Sequence, residues 1–242
     1  MTHTITIIGL GNYDIDDLPL GIYRFIQKQD KIYARTLEHP VIESLKDEID
    51  FESFDDIYEA NEQFDAVYDN IVEQLINKAQ QSNIVYAVPG HPRVVETTTA
   101  KLMAYHAQND DIEVKVLGGK SFIDDVFEAV AVEPNDGFTL LDGTALEEAK
   151  LNVRTNTLIT QVYSAMVAAD IKLTLMERYP DDHMVKIVTG ARSGDAQVTE
   201  CPLFELDHFN TTFNNLTSVF VPKIVADESL YNDFNFAEQT ID

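Results

Sequence analysis

The chain has 242 residues, 45% of them hydrophobic and 10% aromatic, enough apolar material for a sizeable core and too much for bulk disorder. Lys and Arg number 17 against 42 Asp and Glu, a formal net charge of -25 that disfavours nucleic acid and anionic membranes as partners. The single cysteine, Cys201, excludes an internal disulfide and a multi-cysteine zinc site.

The N-terminus enters an apolar strand without a basic region and long apolar stretch, so we expect no signal peptide. No apolar run approaches the roughly 18 residues of a spanning helix. A soluble, reducing, cytoplasmic setting is the expectation.

Thr4 to Ile8 is a short β-rich run that stops at Gly9, and reads as a buried strand. Pro19 opens a helix that runs from Leu20 to Gln29. Lys31 to Arg35 reads as a second strand, Pro40 to Leu45 as a short helix, and Phe51 to Phe54 as a third strand. From Asn61 to about Gln81, Phe64, Val67, Tyr68, Ile71, Leu75 and Ala79 keep the three-and-four spacing of one apolar helix face. Ile84 to Val88 is an apolar, β-branched strand stopped by Pro89-Gly90-His91-Pro92. A helix through Thr97 and Tyr105 and a strand from Ile112 to Leu117 follow. Short apolar strands alternating with helices indicate a mostly parallel sheet with helices on both faces.

Gly118-Gly119-Lys120 interrupts this pattern and serves as the expected linker, dividing the chain into 1–117 and 118–242. Ser121 starts a helix through Val130. Strands are expected over Phe138–Leu141, Thr157–Val162, Met184–Thr189, Leu203–Leu206 and Ser218–Val221, with a helix from about Ser164 to Arg178. This is a second, mixed and mainly antiparallel α/β domain. The acidic tail from Asp227 is expected to be poorly ordered.

Two strand ends carry the chemistry. Gly9-Leu10-Gly11 follows the first strand, but Asp14 stands where a dinucleotide fingerprint needs its third glycine. Asp14, Asp16 and Asp17 would also oppose a phosphate there. No Gly-Lys-Ser/Thr occurs, so a Walker A loop is absent as well. Pro89-Gly90-His91-Pro92 fixes an unusual path at the carboxyl edge of a parallel sheet, where open α/β folds bind ligands. It reads equally as a plain strand-to-helix turn. The histidines have no metal spacing, and no nucleophile elbow is present.

Together these segments resemble the tetrapyrrole (corrin/porphyrin) methylases, two-domain α/β enzymes that use S-adenosylmethionine. Ile5 to Leu18 looks like their opening strand and loop. Tyr86 to Pro92 falls at their Gly-Asp-Pro loop, Gly118 to Phe122 at their inter-domain segment, and Thr157 to Ala191 in their second-domain core. Within the family, LPLGIYRFI, ARTLEHPVIESL, FDDIYEANEQFDAVY and YAVPGHP resemble the methylase-like domain of YabN/MazG-type bacterial proteins. There a MazG-type nucleotide pyrophosphohydrolase usually follows.

The resemblance implies a homodimer with S-adenosylmethionine folded between the two domains. It implies cofactor contacts at Leu10, Gly11, Gly90, His91, Val94, Ser121, Phe122, Val162 and Ala191, with no metal and no nameable catalytic base. His91 replaces the aspartate of the general motif. It implies a small-molecule acceptor of tetrapyrrole type, or a regulatory cofactor-binding module serving a MazG-type partner. A polycarboxylate tetrapyrrole would require a basic pocket, for which Arg35, Arg93, Lys120, Arg154 and Arg192 are the candidates.

Overall fold

The β-branched runs form the two sheets that the alternation requires, in a computed structural model that describes residues 2–60, 64–191, 196–209 and 212–224. Among these residues the chain forms two compact units, one ending at Val126 and one beginning at Phe127. The expected disordered tail from Asp227 and the expected helix start at Asn61 lie outside the described residues.

In the first unit, β1 (His3–Gly9), β2 (Lys31–Ala34), β3 (Asp50–Ser53), β4 (Ile84–Val88) and β5 (Ile112–Val116) pair in the order β3-β2-β4-β1-β5. Every pairing is parallel. β1 lies at the level of β4 with Gly9 opposite Val88. Its chain continues toward β2 and that of β4 toward β5, so the two connections leave in opposite directions along the sheet.

The helices follow suit. On one face α1 (Leu20–Ile26) and α2 (Pro40–Leu45) pack Ile22, Ile26, Val41, Ile42 and Leu45 against Ile8, Ile32, Val85 and Ala87. On the other face α4 (Phe64–Ala79) and α5 (Thr97–His106) pack Val67, Ile71, Leu75 and Leu102 against Ile5, Ile7, Tyr86 and Ile112. Adjacent residues of β4 thus serve opposite cores, which is why this strand has no polar face. Each buried Val, Leu or Ile here contributes about 1.5–3 kcal/mol by burial. A short helix, α3 (Asp55–Ala60), stands where no helix was expected, its first turn carrying Asp55 and Asp56 as an N-terminal dipole favours.

α6 (Phe122–Val130) carries the chain into the second unit. There β6 (Phe138–Asp142), β7 (Asn156–Thr160), β8 (Met184–Thr189), β9 (Gln197–Pro202) and β10 (Thr217–Val221) pair in the order β6-β7-β10-β8-β9. β6 and β7 are parallel and the other pairs antiparallel. α7 (Ala165–Met176) covers this sheet through Val167, Ala168, Ile171 and Leu175.

One strand is corrected. Leu203 to Leu206 is not extended: Leu203–His208 is 3-10 helical, and the strand is β9 just before it. Leu203 and Leu206 are both buried, and their three-residue spacing is the repeat of a 3-10 turn. β9 is an edge strand whose exposed residues hide its period of two.

Cys201 sits on β9 opposite Val185 and is buried in this core. Burial, with Glu205 and Glu200 adding to it, pushes its thiol up to about 11. Native Cys201 should therefore resist iodoacetamide at pH 8 and react on unfolding, which mass spectrometry would read. A raised thiol pKa stabilises the fold fully below about pH 9. That contribution is lost as pH rises through about 11.

Candidate functional site

Three chain segments meet at the carboxyl edge of the first sheet. The first follows β1, the second follows β4 and the third follows β5. Gly11 and Gly90 form an antiparallel bridge: Gly90 N donates to Gly11 O at 2.7 Å and Gly11 N to Gly90 O at 3.2 Å. Both have positive φ, +72° and +68°, a conformation glycine adopts at little cost. The third segment is fastened by Gly9 N donating to Gly118 O at 2.7 Å. A Cβ on Gly9 would lie 2.3 Å from Gly90 O and 2.8 Å from Pro92 Cδ. One on Gly119 would lie 2.7 Å from Gly9 Cα. Main chain therefore packs directly on main chain here.

Most of the expected site residues of this unit fall on these segments. His91 follows Gly90, and its Nδ1 accepts from Arg93 N at 3.1 Å, which leaves Nε2 to carry the proton of the neutral ring. A Cβ on Gly118 would meet that Nε2 at 3.6 Å, so His91 spans from the second segment to the third. Val94 closes the turn by donating to His91 O at 2.9 Å. Ser121 is the residue before α6, where its Oγ accepts from Ile123 N at 3.2 Å, and Phe122 is the first helical residue. Leu10 differs: its side chain is buried among Ile8, Leu18 and Ile22, and only its main chain faces the segments. Val162 and Ala191 belong to the second unit, just after β7 and β8. Val162 is buried, and the preceding Gln161 has φ +62°.

Basic side chains at this edge are matched by acids. Lys120 Nζ lies 2.7 Å from both Asp17 and the buried Asp125, and Asn12 Nδ2 donates to Asp125 at 2.9 Å. Burial would lower the Lys120 pKa, but Asp125 and Asp17 outweigh it and raise it. At the end of β2, Arg35 Nη1 meets Glu96 at 3.1 Å and Nε donates to Tyr58 Oη at 3.2 Å. Burial opposes this guanidinium's charge too, and Glu96 overcomes it, raising the pKa. Tyr86 Oη is buried beside Thr98 with no well-formed hydrogen bond, and burial raises its pKa well above the usual value. Among the basic-pocket candidates, Arg35 and Lys120 are thus already neutralised. Arg93 and Arg154 are exposed, and Arg192 lies outside the described residues.

Among the described residues no group of three or more His, Cys, Asp or Glu could hold a metal ion, and no helix is long and apolar enough to cross a membrane.

The family of tetrapyrrole (corrin/porphyrin) methylases matches residues 4–207. The chain belongs to that family. A curated relative, the uncharacterized protein YabN of Bacillus subtilis (strain 168), is 44% identical over 236 residues. The match covers 97% of this chain but 48% of YabN, so the chain spans about half the length of that relative. Three solved structures share the fold, each with TM-score 0.68. The cobalt precorrin-4 methyltransferase CbiF is 12% identical, with 90% of this chain and 94% of that one covered. The uroporphyrin-III-C-methyltransferase of Thermus thermophilus is 16% identical, with both chains fully covered. Diphthine synthase is 16% identical, covering 95% and 93%.

In this methylase-family chain the loops are held by residues that sequence motifs did not single out. His39 Nδ1 accepts from Val41 N, capping α2, while its Nε2 donates to Gly11 O at 3.0 Å. The His-Pro dipeptide marked the helix start, but nothing in the sequence tied it to Gly11. Asn12 and Asp125 were equally hidden, and Asp17, singled out only as opposing a phosphate, gave no sign of Lys120, 103 residues away.

Proposed function

We propose that this chain is an S-adenosylmethionine-dependent methyltransferase. Family membership supports the reaction class. The observation that carries the site is the convergence of Gly9, Gly11, Gly90 and Gly119, where main chain packs on main chain with no room for a Cβ on Gly9 or Gly119.

The residues present suit this cofactor. A methionine end carries both an ammonium and a carboxylate, and main-chain donors and acceptors can serve both. The surrounding carboxylates favour a sulfonium and oppose a phosphate. Bound S-adenosylmethionine would supply an activated methyl, transferred in line to the acceptor's lone pair while sulfur keeps the bonding electrons. The chain's own contribution is positional. The Gly90-His91 turn is held by its bridge to Gly11 and by the Arg93 and Val94 amides. Ser121 presents the N-terminus of α6. His91, with Nδ1 occupied, offers an Nε2 donor at the edge. No side chain is required as a base for transfer to a neutral lone pair.

Calorimetry with S-adenosylmethionine and S-adenosylhomocysteine tests this reading. Binding is expected in the micromolar range, and no binding at about 1 mM would sink it. His91→Ala and Ser121→Tyr are each expected to weaken binding about tenfold, with folding checked by circular dichroism. Unchanged affinity in both would remove these loops from the site.

A second reading rests on length. A relative twice as long at 44% identity suits a cofactor-binding module that acts with a further domain, as in a fusion to a MazG-type pyrophosphohydrolase. Labelled methyl transfer separates the two: a module binds the cofactor without turnover. A homodimer is part of the first reading, and sedimentation would measure it.

A further inference from the structure

The carboxyl edge of the first sheet has a character opposite to that of a polyanion site. Among the described residues of the first unit, the exposed large apolar side chains are Leu20, Leu37, Val95 and Leu117. Leu37, Val95 and Leu117 lie in the segments that follow β2, β4 and β5, and Leu20 opens α1, the helix reached from β1, so all four fall at the carboxyl ends of strands in the chain order. Val95 is also held at φ +53°, a costly conformation for a β-branched residue, so its exposure is imposed by the turn. Exposed apolar groups in successive loops along one sheet edge point to a binding surface.

The charges agree. Arg35 and Lys120 are spent on Glu96, Asp17 and Asp125. Asp14 and Asp16, in the first segment, have no cation within ion-pair distance among the described residues. Of the basic candidates here, only the exposed Arg93 is left without a carboxylate partner among the described residues. Among the described residues, a ligand with several carboxylates would face these two aspartates with one arginine of the basic candidates to offset them.

We infer that this edge receives an apolar small molecule that is cationic at working pH, and not a polycarboxylate. Calling that molecule the methyl acceptor rests on the methyltransferase reading above, with the methyl going to a neutral lone pair elsewhere on it and not to the protonated nitrogen; the preference itself does not. The four apolar side chains supply contact area. Asp14 and Asp16 supply the charge that selects a protonated amine over an acid. The internal pairs of Arg35 and Lys120 hold the loops rigid without offering a counter-ion.

The test uses two probes that share one ring, 1-naphthylmethylamine and 1-naphthoate, with uroporphyrin III as the polycarboxylate. Each is titrated calorimetrically into the full chain, with and without S-adenosylhomocysteine. The amine is expected to bind about tenfold tighter than the naphthoate, and uroporphyrin III not at all at about 1 mM. Leu37→Ser should weaken the amine about threefold, and Asp14→Asn with Asp16→Asn should bring the two naphthyl probes within about threefold of each other. Equal or tighter naphthoate binding overturns the inference, as does micromolar uroporphyrin III. So does a preference that survives the double Asn variant, since it would then come from the net charge of the whole chain. If S-adenosylhomocysteine fails to bind while the amine preference stands, the methyltransferase reading falls and the ligand class is retained.

Discussion

Gly9→Ala is expected to cost at least about 3 kcal/mol and to lower the melting temperature by roughly 10 °C. The added methyl would sit 2.3 Å from Gly90 O, 2.8 Å from Pro92 Cδ and 3.0 Å from Gly119 Cα. Two of these three are main-chain atoms of tightly bridged segments, so no side chain can turn aside to make room. Either β1 retreats from β4 or the Gly11–Gly90 bridge opens. Both outcomes should also abolish cofactor binding. Gly21→Ala is the control. Gly21 lies exposed in α1, and its Cβ would meet nothing within 4 Å. That variant should be stabilised by up to about 1 kcal/mol through helix propensity. Urea unfolding of the pair reads the contrast, and equal stability of the two variants would contradict the packing described here.

Glu96→Ala should carry the next largest effect. Its carboxylate is almost wholly buried, pairs with Arg35 at 3.1 Å and caps α5 by accepting from Thr98 N at 3.1 Å. Removing one partner of a buried pair costs about 3–5 kcal/mol. Arg35 keeps 32% of its side-chain exposure, so water recovers part of this, leaving about 2 kcal/mol. The lost cap adds about 1 kcal/mol. Glu96→Gln keeps the cap and should lose only the charge. Arg35→Met combined with Glu96→Leu should recover most of the Glu96→Ala loss, because no buried charge is then left alone. A Glu96→Ala variant within about 0.5 kcal/mol of the parent would show that the pair is already well solvated.

Most of the first sheet was legible because its strands have no second candidate. Ile84 to Val88 is apolar at every position and bounded by Asn83 and Pro89, so type and limits follow from composition. The second unit was harder for a physical reason. An edge strand such as β9 shows one face to water, and Gln197, Val198 and Glu200 give no apolar run. Leu203 and Leu206 then drew the strand one step too far along the chain. At the site, glycines and prolines betrayed the turns, since they act through their own backbone. The charge network was illegible, because Lys120 reaches back 103 residues to Asp17, and no local pattern encodes such a pair. Arg35 illustrates the same limit from the other side. Its place at a strand end suggested a ligand-binding cation, while its partner Glu96 lay 61 residues on.

The strand order β3-β2-β4-β1-β5 also governs how this chain can be made. β1 is made before the other strands of its sheet, yet it is flanked only by β4 and β5. Its Ile5 waits for Ile84 on one side, and its His3 for Ile112 on the other. During synthesis β2 can pair with β3 while Ile5, Ile7 and Ile8 have no strand to join. Such distant pairing slows folding and leaves an apolar strand uncovered meanwhile. β1 is thus the earliest made strand of its sheet and among the latest secured. An acidic chain, whose copies repel one another, tolerates that interval better than a neutral one would.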